Sequence, residues 1–259
     1  MAGKSFLETA VILDTRLAAE RTYISRLRSP QIVPIVEAGQ FVMVSFQDTL
    51  DPLLPRAFSV CDATGDTLSI LYVAVGRGTR KISGLFPGEK LILNGPLGTG
   101  FPRMERGKNI WVAVGGSGAA IVPILSRSAG KAGSELRFFY GARNKSQLVP
   151  FEISANTAHA TDDGTAGFHG NIVDLMKLEL KGAEPDMVFG CGPTPMLVSM
   201  QKEFGNRIPT YLSVETPMAC GMGFCQGCPV KRSGDADYYL ACKDGPVFRS
   251  TEIEFEVKP

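Results

Sequence analysis

The sequence has very little histidine, almost no net charge and no long apolar run. Its two histidines, His159 and His169, leave little room for histidine-based acid–base catalysis or a histidine-rich metal site. A net charge of +1 supplies no positive field for nucleic acid. No apolar run approaches the ~18 residues that a membrane-spanning helix needs. The N-terminal segment also has no apolar stretch after its first charge, which predicts a cytoplasmic protein that is not secreted.

The composition is that of a globular protein with many turns. The chain has 259 residues, of which 44% are hydrophobic and 29 are glycines. This length is typical of one or two full domains, and the glycines indicate turns or backbone that lies close to a ligand.

Four of the six cysteines lie in one short segment, Cys220, Cys225, Cys228 and Cys242. Without a secretory signal, such clustering favours a metal site over disulfides. The spacing C-x4-C-x2-C-x13-C is that of the plant-type [2Fe–2S] loop, because three sulfurs come from one glycine-rich turn and the fourth arrives alone. A structural zinc loop and a set of reduced thiols are the alternatives.

The first hundred residues predict a small antiparallel barrel, because short apolar strands alternate with turn signals. A helical turn is predicted over Arg80–Leu85. The predicted strands are Thr9–Leu13, Phe41–Phe46, Ala57–Val60, Leu68–Val75 and Lys90–Leu93.

After a glycine- and proline-rich boundary at residues 95–102, apolar strands alternate with helical stretches. The predicted strands are Ile110–Val114, Leu136–Tyr140 and Asp186–Gly190, and a helix is predicted over Ala119–Ala129. This alternation indicates a parallel sheet covered on both faces. From about Tyr211 onward the chain is too short for a core of its own, which favours a module held together by its metal.

Two glycine-rich turns follow apolar strands in this second part. Gly115-Gly116-Ser117-Gly118 is nearly a dinucleotide fingerprint, but Ile121 replaces the third glycine and no acidic residue follows at the ribose position. The second turn runs through Cys191-Gly192-Pro193. Two such turns at strand ends in one sheet define a crevice for a ligand. A tight structural turn is the alternative for the first.

The barrel region offers an anion site of its own. Arg56-Ala57-Phe58-Ser59 places a permanent cation and a hydroxyl on one strand, and Gly78-Thr79 follows the strand that contains Leu71-Tyr72-Val73. An arginine fork suits a phosphate. The alternative is an ordinary barrel with a surface arginine.

Together these motifs resemble the ferredoxin–NADP reductase superfamily. In that family, the segments matching Arg56–Ser59 and Gly78-Thr79 hold FAD, and those matching Gly115–Gly118 and Cys191–Pro193 hold a nicotinamide nucleotide. The resemblance implies that Leu71, Tyr72 and Val73 also contact FAD. The expected fold is an N-terminal six-stranded antiparallel flavin-binding barrel (1–102), an α/β NAD-binding domain with a parallel sheet (103–210) and a C-terminal [2Fe–2S] module (211–259).

Within that superfamily, the chain looks most like the electron-transfer subunits of NAD-dependent, two-component dihydroorotate dehydrogenases. The matching segments are 160–164, 217–228 and 242–248, whereas Ala57-Phe58 and Val73 depart from the family pattern. The resemblance implies an oxidoreductase subunit with FAD, NAD(H) and a [2Fe–2S] cluster. Its implied partner is an FMN-containing catalytic subunit, two copies of each forming a heterotetramer, and dihydroorotate oxidation for pyrimidine biosynthesis occurs on that partner. No catalytic acid or base is expected in this chain.

Three alternatives stay open at this point. The first is the alpha subunit of a ferredoxin–NADP oxidoreductase or sulfide dehydrogenase complex, which shares these motifs. The second is a binding module stapled by zinc, with degenerate nucleotide turns. The third concerns the nucleotide, because Arg143 could contact the 2′-phosphate of NADP.

Overall fold

The computed structural model describes residues 4–47, 49, 51–151, 156–182 and 184–255. Its N-terminal part is a closed antiparallel barrel with the strand order β1-β2-β5-β4-β3-β6. The strands are β1 (Phe6–Ala19), β2 (Thr22–Arg28), β3 (Phe41–Phe46), β4 (Arg56–Thr64), β5 (Thr67–Val73) and β6 (Lys90–Leu97), and helix α1 (Arg77–Ser83) lies between β5 and β6.

The barrel closes around the apolar residues that alternate along its strands. Ile12, Leu27, Leu68, Ile70 and Leu91 are at most 1% exposed, and each buried side chain of this size contributes about 1.5–3 kcal/mol of hydrophobic stabilisation. The predicted six-stranded barrel is confirmed.

Two local predictions in the barrel need correction. The sequence analysis identified five strands and missed β2, whose two outward-facing arginines interrupt its apolar pattern. The helix predicted at Arg80–Leu85 begins earlier, at Arg77. It does so because the Thr79 hydroxyl accepts the Gly76 N–H (3.0 Å) and caps the first turn.

The second part is a sheet in which neighbouring strands are parallel except at one edge. It contains β7 (Asn109–Gly115), β8 (Glu135–Ala142), β9 (Thr157–Thr161), β10 (Phe168–His169), β11 (Met187–Cys191) and β12 (Thr210–Ser213). Its helices are α2 (Val122–Ala132), α3 (Ile172–Glu179) and α4 (Thr194–Phe204). The helix predicted at Ala119–Ala129 is split, because residues 116–121 form a 3-10 helix before α2 begins.

Both faces of this sheet are covered, as the continuous apolar strands predict. On β7, Ile110 and Val112 join the barrel and α2 in one core, whereas Trp111 and Ala113 join α3 and α4 in a second core. The barrel therefore shares a core with one face of the sheet. In the described part of the chain, no helix is long and apolar enough to cross a membrane.

The last part forms a small sheet and returns to the large one. Strands β13 (Pro229–Arg232) and β14 (Tyr238–Leu240) form a hairpin, β15 (Val247–Arg249) pairs antiparallel with β12, and β16 (Ile253–Glu254) pairs with β13. We keep the division into segments 1–102, 103–210 and 211–259 as a proposal, with β15 as the strand that ties the last segment into the sheet of the second.

Candidate functional site

A large pocket opens between the barrel and the carboxyl ends of the parallel strands. It has a volume of about 890 Å³, which is in the range of small-molecule and cofactor sites. Carboxyl ends of parallel strands are where α/β sheets bind ligands. We call it the central pocket.

The central pocket brings together most of the site residues predicted from the sequence. Those that line it are Ala57, Phe58, Ser59, Leu71, Tyr72, Val73, Thr79, Gly115, Gly116, Ser117, Cys191 and Pro193. Four of the predicted residues do not line it, although each is next in sequence to a residue that does: Arg56, Gly78, Gly118 and Gly192. The two groups of predicted motifs, from the barrel and from the sheet, therefore face one space.

The Arg56 side chain packs against Gly78 in α1. A Cβ atom at Gly78 would overlap the Arg56 guanidinium, so only glycine allows this approach. Arg56 also donates to the carbonyl of Leu54. This contact holds the cation beside the start of α1, whose first N–H groups have no partner within the helix.

Two predicted flavin contacts use their hydroxyl groups elsewhere. The Thr79 hydroxyl exchanges hydrogen bonds with Gly76, accepting its N–H and donating to its carbonyl. The Tyr72 hydroxyl lies 2.9 Å from Ser25 Oγ inside the barrel, and burial raises its pKa to about 12 although the Ser25 hydrogen bond opposes the shift. Tyr72 therefore offers the central pocket its ring, and Thr79 offers mainly its backbone.

The two glycine-rich turns pack against each other at the ends of adjacent strands β7 and β11. A Cβ atom at Gly118 would overlap the carbonyl of Cys191, and one at Gly192 would lie 2.6 Å from Met196 Cε. Gly116 has a left-handed backbone (φ 53°). The glycines of this region thus allow the two turns to touch, while Gly116 and Ser117 remain on the pocket wall.

Cys191 and Glu215 form an ionisable pair on the same wall. Burial raises the pKa of Cys191 to about 12, the Glu215 charge adds to the rise, and a Ser213 hydrogen bond opposes it. Enclosure by the surrounding protein raises the pKa of Glu215, and a hydrogen bond with Ser117 opposes that shift. Glu215 is nevertheless exposed to solvent, and it lines the central pocket.

Glu215 and its neighbour Thr216 are site residues that the sequence analysis missed. Among the described residues, Thr216 Oγ1 is buried and has no hydrogen-bond partner although Thr216 lines the central pocket. A buried hydroxyl without a partner is costly unless a ligand satisfies it. Their position directly before the cysteine segment was the available signal.

The four clustered cysteines form two pairs. Cys228 Sγ and Cys242 Sγ lie 3.2 Å apart, because the β13–β14 hairpin brings together the segments that carry them. This distance is too long for a disulfide bond. Cys225 interacts with Cys220 through its backbone N–H (3.4 Å) and its side chain. The sequence reasoning on spacing alone did not give this pairing.

Backbone N–H groups point at the sulfurs of this loop. Met222 N–H donates to Cys220 Sγ (3.4 Å) and Gly223 N–H donates to Cys242 Sγ (3.1 Å). Burial opposes ionisation of Cys220, but the N–H groups of Cys225 and Met222 outweigh it and lower its pKa to about 7. Burial raises the pKa of Cys242 to about 12. Such N–H donors stabilise the thiolates that ligate a metal.

The paired geometry fits a [2Fe–2S] cluster, in which four cysteine thiolates are shared between two irons. A structural zinc ion needs four ligands around one centre. The donor set, four cysteines in two pairs with N–H groups directed at sulfur, therefore favours the dinuclear cluster over zinc.

The cysteine loop is the direct continuation of the pocket wall. Residues 213–216 and Met218 line the central pocket, and Cys220 follows two residues later. The loop also packs against the barrel. Gly221 lies so close to Met43 of β3 that an added Cβ atom would be 2.5 Å from Met43 Cγ. After the last cysteine the chain comes back to the pocket, since Pro246, four residues after Cys242, also lines it.

Comparison with known families agrees with this arrangement. Residues 215–254 match the family described as the iron–sulfur cluster binding domain of dihydroorotate dehydrogenase B. A structure of the NADH-dependent reduced ferredoxin-NADP oxidoreductase contains a similar chain, with a TM-score of 0.83, 26% identity, and coverage of 95% of this chain and 89% of that one. A ferredoxin reductase of carbazole 1,9a-dioxygenase shares the fold, with a TM-score of 0.70, 21% identity, and coverage of 80% and 69%.

Similar curated proteins carry one description, dihydroorotate dehydrogenase B (NAD(+)), electron transfer subunit. The protein of Desulforamulus reducens is 33% identical over 256 residues, covering 95% of this chain and 98% of the relative. That of Bacillus velezensis is 36% identical over 244 residues, covering 91% and 94%. The resemblance inferred from the sequence motifs is confirmed: the chain belongs to the family of dihydroorotate dehydrogenase B electron transfer subunits, which are oxidoreductase subunits.

Proposed function

We propose that this chain carries electrons between NAD(H) and the catalytic subunit of a dihydroorotate dehydrogenase. The partner contains FMN and oxidises dihydroorotate to orotate for pyrimidine biosynthesis, and two copies of each subunit form the complex. The description of the relatives as an electron transfer subunit supports a catalytic partner. The cytoplasmic location remains a prediction from the sequence.

The predicted cofactor set of FAD, a [2Fe–2S] cluster and NAD(H) is confirmed by the family membership and the shared fold. When bound, FAD exchanges a hydride with the nicotinamide nucleotide and single electrons with the iron–sulfur cluster. This division of labour explains why the barrel, the sheet and the cysteine loop occur in one chain.

In this proposal the chain orients its cofactors and supplies no catalytic acid or base. The barrel residues Ala57, Phe58 and Ser59 and the strand Leu71–Val73 hold the flavin, with Arg56 and the start of α1 at its phosphates. Gly116 and Ser117 hold the pyrophosphate of the nucleotide at the end of β7. Cys191 and Pro193 flank the nicotinamide. Hydride transfer depends mainly on orientation, which these rigid strand ends provide.

A single observation carries the proposal: the segment that lines the central pocket at residues 213–218 continues into the cysteine loop. A flavin held in that pocket would therefore share a wall with the segment that leads into the cluster ligands. The residues that close the pocket also position the cluster.

The proposal is tested by titrating the purified holoprotein anaerobically with NADH. We expect NADH to bleach the flavin absorption and to produce the paramagnetic signal of a reduced cluster, without oxidation of added dihydroorotate. Addition of the catalytic subunit is expected to couple dihydroorotate oxidation to NAD⁺ reduction. Dithionite serves as the control that reduces both centres directly. Reduction by dithionite but not by NADH would contradict the proposal.

The similarity to the NADH-dependent reduced ferredoxin-NADP oxidoreductase supports a second candidate, a subunit that serves ferredoxin in place of dihydroorotate. Co-purification decides between the two candidates. A dihydroorotate-oxidising partner supports the first, and a partner that reduces ferredoxin supports the second.

A further inference from the structure

A second pocket lies near the edge of the large sheet, away from the residues assigned above to FAD, NAD(H) and the cluster. It has a volume of about 560 Å³, which is in the range of small-molecule sites. Its floor is formed by β8 and β9, where Tyr140 lies opposite His159 in the parallel register. Among the residues that the structure describes, none lines both this pocket and the central pocket. We call it the edge pocket.

The segment that follows β8 covers one side of the edge pocket and is tied down at two points. The Val149 N–H donates to the Tyr140 hydroxyl (3.1 Å), which fixes the segment to the floor. The Lys145 N–H donates to the Thr165 hydroxyl (2.9 Å), which joins the segment to the turn after β9. This side of the pocket is therefore held by hydrogen bonds within the protein.

The turn that follows β9 closes the other side of the edge pocket. The Thr161 hydroxyl accepts the Ala166 N–H and donates to the Ala166 carbonyl, both at 3.0 Å. Gly167 has a left-handed backbone (φ 67°), and an added Cβ atom there would overlap the His159 carbonyl. The turn thus packs directly on β9, and the edge pocket is formed before any ligand enters it.

Most of the wall of the edge pocket is apolar or aromatic. The residues of this kind that line it are Tyr140, Leu148, Val149, Pro150, Phe151 and Ala166. The Tyr140 hydroxyl already accepts the Val149 N–H, so Tyr140 offers a ligand mainly its ring. Such a wall suits a flat apolar group, because aromatic rings pack well against other rings.

Three polar side chains also line the edge pocket, and within the described part of the chain none of them has a hydrogen-bond or ion-pair partner. Lys145 is exposed and supplies a positive charge. Burial lowers the pKa of the His159 imidazole, so the ring is neutral at pH 7 and adds no charge. The Thr157 hydroxyl oxygen is buried, and a buried hydroxyl without a partner is costly unless a ligand satisfies it.

The positive charge and the buried hydroxyl lie toward opposite ends of β9. Thr157 is the first residue of that strand, and His159 follows about 7 Å further along it. Lys145 is bonded to Thr165, which belongs to the turn after the carboxyl end of the strand. The edge pocket therefore offers a cation at one end, a hydroxyl at the other and an apolar wall between them.

We propose that the edge pocket binds a small aromatic carboxylate that carries a hydroxyl group on the opposite side of its ring. The apolar wall contacts the ring, Lys145 pairs with the carboxylate, and the Thr157 hydroxyl forms a hydrogen bond with the ligand hydroxyl. The inference is independent of the proposed function, because it uses none of the residues assigned to FAD, NAD(H) or the cluster.

The test measures binding of 4-hydroxybenzoate and of benzoate to the purified holoprotein by calorimetric titration. We expect 4-hydroxybenzoate to bind with a dissociation constant of about 1 mM or below, as ligands of about ten non-hydrogen atoms do, and benzoate to bind more weakly. Lys145→Gln should weaken both probes about tenfold, because a charge-assisted hydrogen bond is lost. Thr157→Val keeps the shape of the side chain and should abolish the preference for 4-hydroxybenzoate.

Lys202→Gln is the matched control, because Lys202 is exposed on α4 and lines neither pocket. The melting temperature of each variant checks its folding. Absence of binding to the wild-type protein at about 10 mM probe, or an equal loss of affinity in Lys145→Gln and Lys202→Gln, overturns the proposal. A preference for 4-hydroxybenzoate that survives in Thr157→Val overturns it as well, since the ligand hydroxyl would then be bound elsewhere.

Discussion

The central pocket and the cysteine loop lie side by side but are held together in different ways. The pocket is built on strand ends whose bases are buried in two apolar cores, and its glycine turns are in direct backbone contact. The cysteine loop exposes Met222, Phe224 and Cys225. This exposed stretch is held by N–H to sulfur contacts and by the packing of Gly221 on Met43, whereas Cys228 and Cys242 are buried at the edge of the second apolar core.

This difference teaches which part of the molecule depends on its cofactor. A pocket supported by packed cores is formed before its ligand binds. A loop without a core of its own gains its stability from the metal that its ligands share. Loss of the cluster should therefore leave the pocket intact, whereas damage to the pocket turns should leave the cluster intact.

The largest effect is expected from Cys228→Ser, which removes a buried ligand of the loop. We expect iron content to fall to about a tenth or less of the wild-type value, because the remaining sulfurs cannot complete the cluster, while most of the flavin is retained. Iron analysis and the visible spectrum measure both. The control is Cys61→Ala, which removes a buried barrel thiol outside the loop. Loss of flavin together with iron in Cys228→Ser would show that the two regions are not independent.

A smaller effect, on nucleotide binding and not on iron content, is expected from Gly118→Ala. The added Cβ would overlap the Cys191 carbonyl and force the two turns apart, at a cost of about 1–3 kcal/mol. We expect NADH to bind at least about tenfold more weakly, with iron content unchanged. Flavin reduction at varied NADH concentration measures the affinity. Gly130→Ala is the matched control in α2, where a Cβ meets nothing within 4 Å. Equal affinities of the two variants would remove the packing argument.

The smallest effect is expected at Glu215, on the segment that joins the pocket to the loop. Its raised pKa means that the folded state holds the proton more tightly than the unfolded chain. The Glu215 carboxyl therefore favours folding at pH values below its pKa in the unfolded chain, about 4.5. This stabilisation is lost as the pH rises through its higher pKa in the folded state. At pH 7 Glu215→Gln should melt about 1–2 °C higher than wild type, because solvent in the pocket keeps the effect small. This difference should vanish near pH 4. A pH-independent difference in melting temperature would contradict this explanation.

The cluster and most strands follow from patterns that are local in the sequence. Cys220, Cys225 and Cys228 lie within one loop, so their spacing alone indicates a shared metal, and β3 was predicted with its observed bounds, Phe41–Phe46. The strand β2 was missed because its arginines mask its alternation.

The parts of the site that escaped the sequence analysis depend on pairing between distant segments. Asp162 lines the central pocket only because β9 lies beside β8 in a parallel register, which no local pattern reveals. Glu215 joins the site because β12 lies beside β11. The pairing of Cys228 with Cys242 likewise requires the β13–β14 hairpin. These contacts depend on which distant segments pair with each other, so they could be identified only from the structure.

The most direct measurement of the central claim is the content of flavin, iron and acid-labile sulfide in anaerobically purified protein. The account predicts about one FAD, two iron atoms and two sulfides per chain, with FAD retained after the cluster is removed. Stoichiometric zinc without sulfide, or protein without flavin, would contradict it.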